Sequence, residues 1–516
     1  MKPSTKIMLA TSAGTVFEWY DFFIYSSLAI FFSKVFFPVG NDVASFLIVL
    51  ATLGVGLLVR PLGAMIFGRL GDLIGRKKVF MTTIVLMGIS TCLIGTVPGF
   101  AAIGWAAPII IVILRILQGL ALGGEYGGAV TYITEHTEKA NRGFYSSFVQ
   151  STVVVGFILT FAVVLAVKTL VPAEQFADWG WRIPFLLSSL FLVISVVVRS
   201  TLVESPEFEK IYKANETSTR PLTEVFTQPE NRKWFLILLG MLAGQGVVSY
   251  ITQVYVIFFL TKVLNINVDV AFQMIIISLF ASAAMIVTVG WLSDKVGRLK
   301  LIVLGLVLTT LTVMPLYQGL VHYANPALEK AQKEVNVVLS SSSNCSFNML
   351  TAQTNECAKF KEFFSKNGVI YTFVPTGDAT TVTVNNIATS YNKFDQVVLS
   401  KSLTDANFPM KAKLEDINKP MVITILVILL FYMALCYAPI GALMSEMFPT
   451  RVRFSAISTV SAVGNGWFGG MLPLIVSTMI AYSGDIYFGL WYPIIVTGIS
   501  SIVCIIFYNQ LLEKTS

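Results

Sequence analysis

Runs of about 20 apolar residues, each long enough to cross a bilayer, recur along this 516-residue chain and constrain its fold more than any motif does. They fall at residues 7–32, 44–69, 79–97, 107–131, 144–168, 182–203, 234–261, 269–292, 301–321, 420–444, 456–481 and 487–511. A bilayer interior offers no water to satisfy backbone N–H and C=O groups, so such runs must be helices. The sequence therefore predicts an all-α integral membrane protein with twelve transmembrane helices. Composition agrees, with 55% of residues hydrophobic and 13% charged, against about a quarter charged in a soluble protein. The first run carries Glu18 and Asp21, so it reads as a span and not as a cleaved signal peptide.

Sidedness follows from the basic residues. With the N-terminus inside, segments on that side carry nineteen Lys and Arg, among them Arg76, Lys77, Lys78, Arg298 and Arg453; the short outer loops carry four, Lys34, Lys168, Arg182 and Lys262. That asymmetry places both termini in the cytoplasm. The net charge of +7 is this bias, and no nucleic-acid partner is expected. Residues 204–233, a long polar connection expected to be a solvated linker, separate an N-terminal six-helix bundle (1–203) from a C-terminal one (234–321 and 420–516). A second polar stretch, 322–419, falls between helices nine and ten on the outer face and predicts a small extracytoplasmic α/β insertion. Within it PALEKAQKEVNVVL predicts a helix, and VIYTFV with ATTVTV predicts a β-hairpin turning at Pro375 to Asp378. Cys345 and Cys357 share this oxidising face, where a disulfide is expected in preference to two free thiols. There is no C-x-x-C pair, and His136 and His322 are far apart, so neither a metal nor a cofactor is expected.

The two bundles carry an internal repeat. Gly68, Asp72, Gly75, Arg76 and Lys78 follow the second span, and Gly290, Asp294, Gly297, Arg298 and Lys300 follow the eighth in the same register, 222 residues on (290 − 68). Glu135 to Arg142 is echoed by Glu446 to Arg453 at 311 (446 − 135), the surplus falling where 322–419 is inserted. Parallel repeats of this kind mark a transporter whose halves rock about a site near the bilayer midplane. The duplicated Gly68 to Lys78 loop resembles the signature loop of the major facilitator superfamily. With Phe17-Glu18-Trp19-Tyr20-Asp21-Phe22, Arg60-Pro61-Leu62-Gly63, Arg115 to Gly119, Gly123 to Gly128, Trp179 to Phe185 and Glu204-Ser205-Pro206, the chain is similar to its metabolite:proton symporter family, which includes permeases for α-ketoglutarate, citrate, shikimate, dicarboxylates and proline or betaine. The resemblance spans all twelve helices and departs from the family at 322–419. It implies a monomeric symporter of the bacterial inner membrane. It also implies that Asp72 with Arg76, and their repeats Asp294 and Arg298, form conformational latches in which a carboxylate pairs with the loop arginine and faces a helix N-terminus of the other half.

An ionisable group at bilayer depth costs about 2.5 kcal/mol or more, so each needs a partner or a task. Glu18 and Asp21, three apart, share a helix face with Thr11, Gly14 and Tyr25, which must then line a cavity. Either acid is a candidate proton site. Arg115, which falls on one face with Gln118, is either their countercharge or the anchor of a substrate carboxylate, since guanidinium binds carboxylate bidentately. A static ion pair is the alternative. Arg60 is a second candidate anchor. The C-terminal bundle offers no such charge; Tyr250, Gln253, Asn465 and Trp467 are its candidate substrate contacts. The function expected is proton-coupled import of a small organic carboxylate or zwitterion by alternating access. Rival readings are a facilitator or exporter, or a sensor that uses 322–419. No H-E-x-x-H, G-x-S-x-G or P-loop pattern occurs, so neither an enzyme nor an ATP-driven pump is expected.

Overall fold

The computed structural model describes residues 3–37, 42–342, 345, 355–376, 380–391 and 393–515. The chain opens with two long helices, α1 (Pro3–Phe36) and α2 (Asp42–Ile74), followed by α3 (Arg76–Thr96), α4 (Ala106–Glu135), α5 (Arg142–Leu170) and α6 (Arg182–Ser200). Two short helices, α7 (Pro206–Lys213) and α8 (Pro221–Thr227), lead to α9 (Pro229–Val263), α10 (Val268–Val296) and α11 (Arg298–Ala324). The inserted stretch holds α12 (Pro326–Glu334), β1 (Val337–Ser341), α13 (Glu356–Lys366), β2 (Thr372–Pro375), β3 (Thr380–Val384), β4 (Ile387–Tyr391) and α14 (Gln396–Asp405). The chain then returns through α15 (Lys419–Met447), α16 (Arg453–Ser483) and α17 (Phe488–Ile506). Among the described residues ten of these helices, α3 to α6, α9 to α11 and α15 to α17, are long and apolar enough to cross a membrane. Their outer faces expose rows of large apolar side chains, such as Leu190, Val193 and Val197 on α6 and Ile499, Ile502 and Ile506 on α17. Hydrocarbon as solvent permits that; water does not.

Small residues set how closely the helices approach. A Cβ on Gly119 of α4 would strike the carbonyl of Gly56 on α2, one on Gly63 the backbone of Leu120, and one on Gly123 the carbonyl of Arg60. In lipid, where apolar contact drives little association, such backbone-to-backbone packing holds helices together. The halves meet along α2 with α16 and α5 with α10. Gly75 (φ 107°) and Gly297 (φ 105°) make the same left-handed turn in the two repeats, a conformation only glycine adopts without strain. Both α9 and α16 widen into π-helical turns, at Ile251–Tyr255 and Phe259–Val263 and at Gly464–Gly469.

The insertion holds a four-stranded sheet in the order β2-β1-β3-β4. This corrects the expected hairpin: β2 and β3 are not neighbours, because β1 lies between them, parallel to β2 and antiparallel to β3. The hairpin is β3–β4, turning on Asn385 and Asn386, both at positive φ. Paired positive-φ residues match the right-handed twist of the strands, and asparagine tolerates them best after glycine. The turn expected at Pro375 to Asp378 lies partly outside the described residues. The predicted PALEKAQKEVNVVL helix also stops early, at Glu334, and its β-branched end becomes β1. Cys345 and Cys357 are bonded, with Cα atoms 5.6 Å apart. The insertion docks on the C-terminal half. Asn325 Nδ2 donates to the Leu264 carbonyl (3.0 Å), Ala412 N to that of Asn265 (3.1 Å), Tyr371 N to that of Gly484 (3.0 Å) and the Tyr371 hydroxyl to that of Ala481.

Candidate functional site

The first-half charges assemble around a residue that the sequence reading passed over. Arg199, on α6, donates from Nη1 to Glu18 Oε1 and from Nη2 to Glu125 Oε1, both at 2.9 Å. Its guanidinium lies 3.5 Å over the Phe80 ring, and Nη2 also reaches Thr15 Oγ1 at 3.1 Å. Gly14 makes room for it: a Cβ there would sit 2.8 Å from Arg199 Cζ. Thr83 of α3 donates to Glu125 Oε2 at 2.9 Å. Of the two roles open to Arg115, that of countercharge to Glu18 is therefore corrected; the partner of Glu18 comes from α6. The signal was available, since Arg199 lies inside the sixth apolar run as surely as Arg115 lies inside the fourth. Glu18 and Asp21 also part company. Asp21 is buried and accepts from Ser188 Oγ at 2.5 Å, and among the described residues no Lys or Arg pairs with it.

Arg115 instead lies buried within the N-terminal half. Nη1 donates to Gln118 Oε1 at 2.6 Å, and the guanidinium lies 3.8 Å over the Tyr25 ring, while Nε and Nη2 have no partner. Gln118 passes the chain to Thr91 (2.6 Å), and the Tyr25 hydroxyl bonds Thr52. Arg60 occupies a different place, the seam between the halves. It is 3% exposed, its Nε has no partner, and its Cδ lies 3.7 Å from where a Cβ on Gly466 of α16 would stand. Its charge acts on the hydroxyls of Tyr126 (α4), Tyr250 (α9) and Tyr437 (α15), so both halves surround it. The Tyr126 and Tyr437 rings stack across the seam at 6.3 Å and 13°. Gln150 of α5 donates to the Tyr126 hydroxyl at 2.8 Å but leaves its own Oε1 unpaired, as Asn465 leaves Oδ1. Gln253 is half-buried on α9, and Trp467 is 46% exposed. Tyr126, Gln150 and Tyr437 were not expected at the site; Tyr126 lies in the glycine run of α4, and nothing local distinguishes Gln150.

One end of the bundle is closed by two matching clusters. Asp72 accepts from the backbone N–H groups of Ser455 (2.9 Å) and Phe454 (3.3 Å) at the start of α16, and pairs with Arg76 at 3.2 Å. Arg76 donates to the Thr450 carbonyl (2.6 Å) and pairs with Glu135 (3.3 Å). In the other repeat, Asp294 accepts from Gly143 and Phe144 (both 2.8 Å) at the start of α5 and pairs with Arg298 (3.2 Å), which donates to the Lys139 carbonyl (3.0 Å) and pairs with Glu446. Each carboxylate thus caps a helix of the opposite half, where the helix dipole and free N–H groups favour an anion. The connection 204–233 is exposed over much of its length, as a solvated linker would be, but its start is not. Glu204 accepts from the N–H groups of Arg76 (3.0 Å) and Lys77 (3.2 Å), Ser205 caps α7 and bonds Glu135, and Glu207 pairs with both Arg142 (2.9 Å) and Arg453. Burial alone would raise the Glu207 carboxyl, but Arg453, and after it Arg142, hold it below its ordinary value. The short polar residues of ESPEF are spaced as a helix start, and that start is used as a tie between the halves.

The family model of the Major Facilitator Superfamily matches residues 11–325. The chain belongs to the Major Facilitator Superfamily. Among relatives, the shikimate transporter of Escherichia coli K12 is 36% identical over 315 residues, 60% of this chain and 72% of that one. The inner membrane metabolite transport protein YhjE of the same strain is 36% identical over 328 residues (63% and 74%), and its proline/betaine transporter 34% over 319 (60% and 64%). The solved proton:xylose symporter XylE bound to 6-bromo-6-deoxy-D-glucose shares the fold over 98% of this chain and 96% of its own, with a TM-score of 0.65 at 15% identity. The chain is therefore a major facilitator transporter, a multi-pass membrane protein, and its relatives are transporters and not enzymes.

Proposed function

We propose that this chain is a proton-coupled symporter that imports a small organic carboxylate or zwitterion across a bacterial inner membrane by alternating access. All twelve long helices cross in this reading, the latch end faces the cytoplasm with both termini, and residues 322–419 lie outside. One observation carries it: Arg60, a buried guanidinium at the seam, has no carboxylate partner among the described residues and lies within electrostatic reach of tyrosines from both halves. A buried charge left unpaired is costly, so the site is completed by an anion that arrives from solution. The unpaired Gln150 Oε1 and Asn465 Oδ1 would take hydrogen bonds from the rest of the substrate. Arg115, with two free N–H groups, is the second anchor, set deeper in the N-terminal half with Tyr25 and Gln118. A carboxyl of α1, Glu18 or Asp21, carries the proton. Each proton that enters down a 100 mV potential supplies about 2.3 kcal/mol, enough for about a 50-fold gradient of a neutral load. The Asp72–Arg76 and Asp294–Arg298 clusters act as latches that release the cytoplasmic ends.

The test is uptake of labelled shikimate, α-ketoglutarate and glycine betaine into proteoliposomes under an imposed pH gradient. Accumulation of at least one probe is expected, abolished by protonophore. Arg60→Gln removes a charged hydrogen bond worth about 1.5–3 kcal/mol, a 10- to 150-fold rise in KM. No accumulation of any probe, or an Arg60→Gln variant with the wild-type KM, would sink the reading.

A further inference from the structure

The sharing of Arg199 by two acids goes further than a buried ion pair. We propose that Glu18 and Glu125 together form the proton-carrying site, two carboxylates that hold one exchangeable proton around the single guanidinium of Arg199. The assignment rests on the symport reading above and replaces its open choice between Glu18 and Asp21.

The charge count comes first. With both acids ionised the cluster holds two negative charges against one positive; with one proton bound it is neutral. The groups that face it from every helix packed around it are Thr15 on α1, the Phe80 ring and carbonyl, Thr83 and Met87 on α3, Ala121 and Leu122 on α4, and Ser195 one turn from Arg199 on α6. Among the described residues none brings a further charge; Asp21, one turn along α1, is turned to Ser188. In a low-dielectric interior two carboxylates this close titrate as a unit, and the one cation lets the ionised member persist beside the protonated one. Asp21 has no such cation.

The hydrogen bonds place the proton. Both Oε1 atoms accept from Arg199 and Glu125 Oε2 accepts from Thr83, but Glu18 Oε2, buried, has no donor to it among the described residues. It is the one carboxylate oxygen of the four left over. Protonated there, the group becomes an O–H donor, and the Glu125 carboxylate, within hydrogen-bonding reach, is its acceptor. Both acids also line one narrow crevice, with Thr83, Met87, Ala121 and Leu122, that has no room for a water molecule. The site is thus shut in this state, and α1, α4 and α6 must shift relative to one another before water reaches it. Loading adds one proton from the outer solution to Glu18 Oε2 and takes the cluster from −1 to 0; unloading returns that proton to the inner solution as the crevice opens there. A neutral cluster tolerates being sealed in, and a charged one does not, so closure is tied to loading.

Infrared difference spectroscopy on the full-length chain in vesicles, titrated from acid to alkaline pH, reads the proton without any substrate. The wild type is expected to show a titrating band in the carboxylic C=O region, where a protonated acid absorbs and a carboxylate does not. Glu18→Gln and Glu125→Gln should each abolish it, because either leaves one acid with one cation and no place for a proton, whereas Asp21→Asn should leave it in place. Since each Gln variant leaves a neutral cluster, monodisperse elution on size-exclusion is expected of both. A band that survives in Glu125→Gln, is missing from the wild type, or vanishes in Asp21→Asn overturns the assignment. Labelled-probe uptake separates the two readings: wild-type accumulation with the band intact in Glu125→Gln sinks the pair and leaves symport standing, whereas a wild type that accumulates no probe sinks symport and the coupling role with it.

Discussion

Neutralising Asp72 should open the latch end, and the structure fixes how far. Asp72→Asn keeps the shape and one carbonyl acceptor for the α16 N-terminus but removes the charge that faces two N–H groups, at 2.9 and 3.3 Å. Hydrogen bonds to a charged acceptor contribute about 1.5–3 kcal/mol net, and an anion at a partly buried helix start up to about 2 kcal/mol. The Arg76 pair is made within the same half and persists on opening, so only contacts across the seam shift the equilibrium. About 2 kcal/mol is therefore lost from the closed state alone. That is about a 30-fold change, enough to raise an open population of about 1% to about a fifth. Spin labels on cysteines introduced at Arg69 and Lys295, exposed ends of α2 and α10 in opposite halves, report the distance in a background without Cys92, Cys436 and Cys504. A longer-distance population should appear in Asp72→Asn, and again in Asp294→Asn because its cap is the same device. Distance distributions identical to the wild type in both variants would refute the differential argument.

Glu207 predicts a pH window. Its folded value lies below the ordinary one, so its contribution is complete above the usual carboxylate range and is lost only as pH falls through that lower folded value. The stability difference between wild type and Glu207→Gln, measured by thermal unfolding in detergent, should be constant above about pH 5 and shrink below about pH 4. Gly119→Val should push α4 off the Gly56 carbonyl and lower the melting temperature, at about 1–3 kcal/mol for overpacking; a wild-type melting curve would show that the contact is slack. Removing the Cys345–Cys357 bridge, which closes a short loop, should cost the insertion about 2–4 kcal/mol. Hydrogen exchange should then quicken in α13 and β1 but not in α10 or α17; uniform quickening would contradict the insertion's folding as its own unit.

How much of this was legible in the sequence depended on whether the deciding contact was local. Apolar length gave the helices, because each satisfies its own backbone within one run. The repeat pointed to the two matching clusters, since Asp72 and Asp294 sit in duplicated loops whose turn requires Gly75 and Gly297. The partner of Glu18 was not legible. Arg115 lies eight residues from the start of its apolar run (115 − 107) and Arg199 four from the end of its own (203 − 199), and only the packing of α6 against α1, permitted by Gly14, chooses between them. The hairpin failed for a related reason: two β-rich runs close in sequence suggest pairing, but β1, from more than thirty residues upstream of β2, took the place between them. The start of the linker was misjudged because its polarity was read as exposure, when Glu204, Ser205 and Glu207 bind helix ends of both halves.

A transporter of two similar halves gives an imaging experiment little by which to tell one half from the other. Here the sheet within residues 322–419 is fastened by Tyr371 and Asn325 to the ends of α16 and α9, in the C-terminal half. It would serve as a native fiducial mark, turning with that half and leaving the other to be seen moving against it.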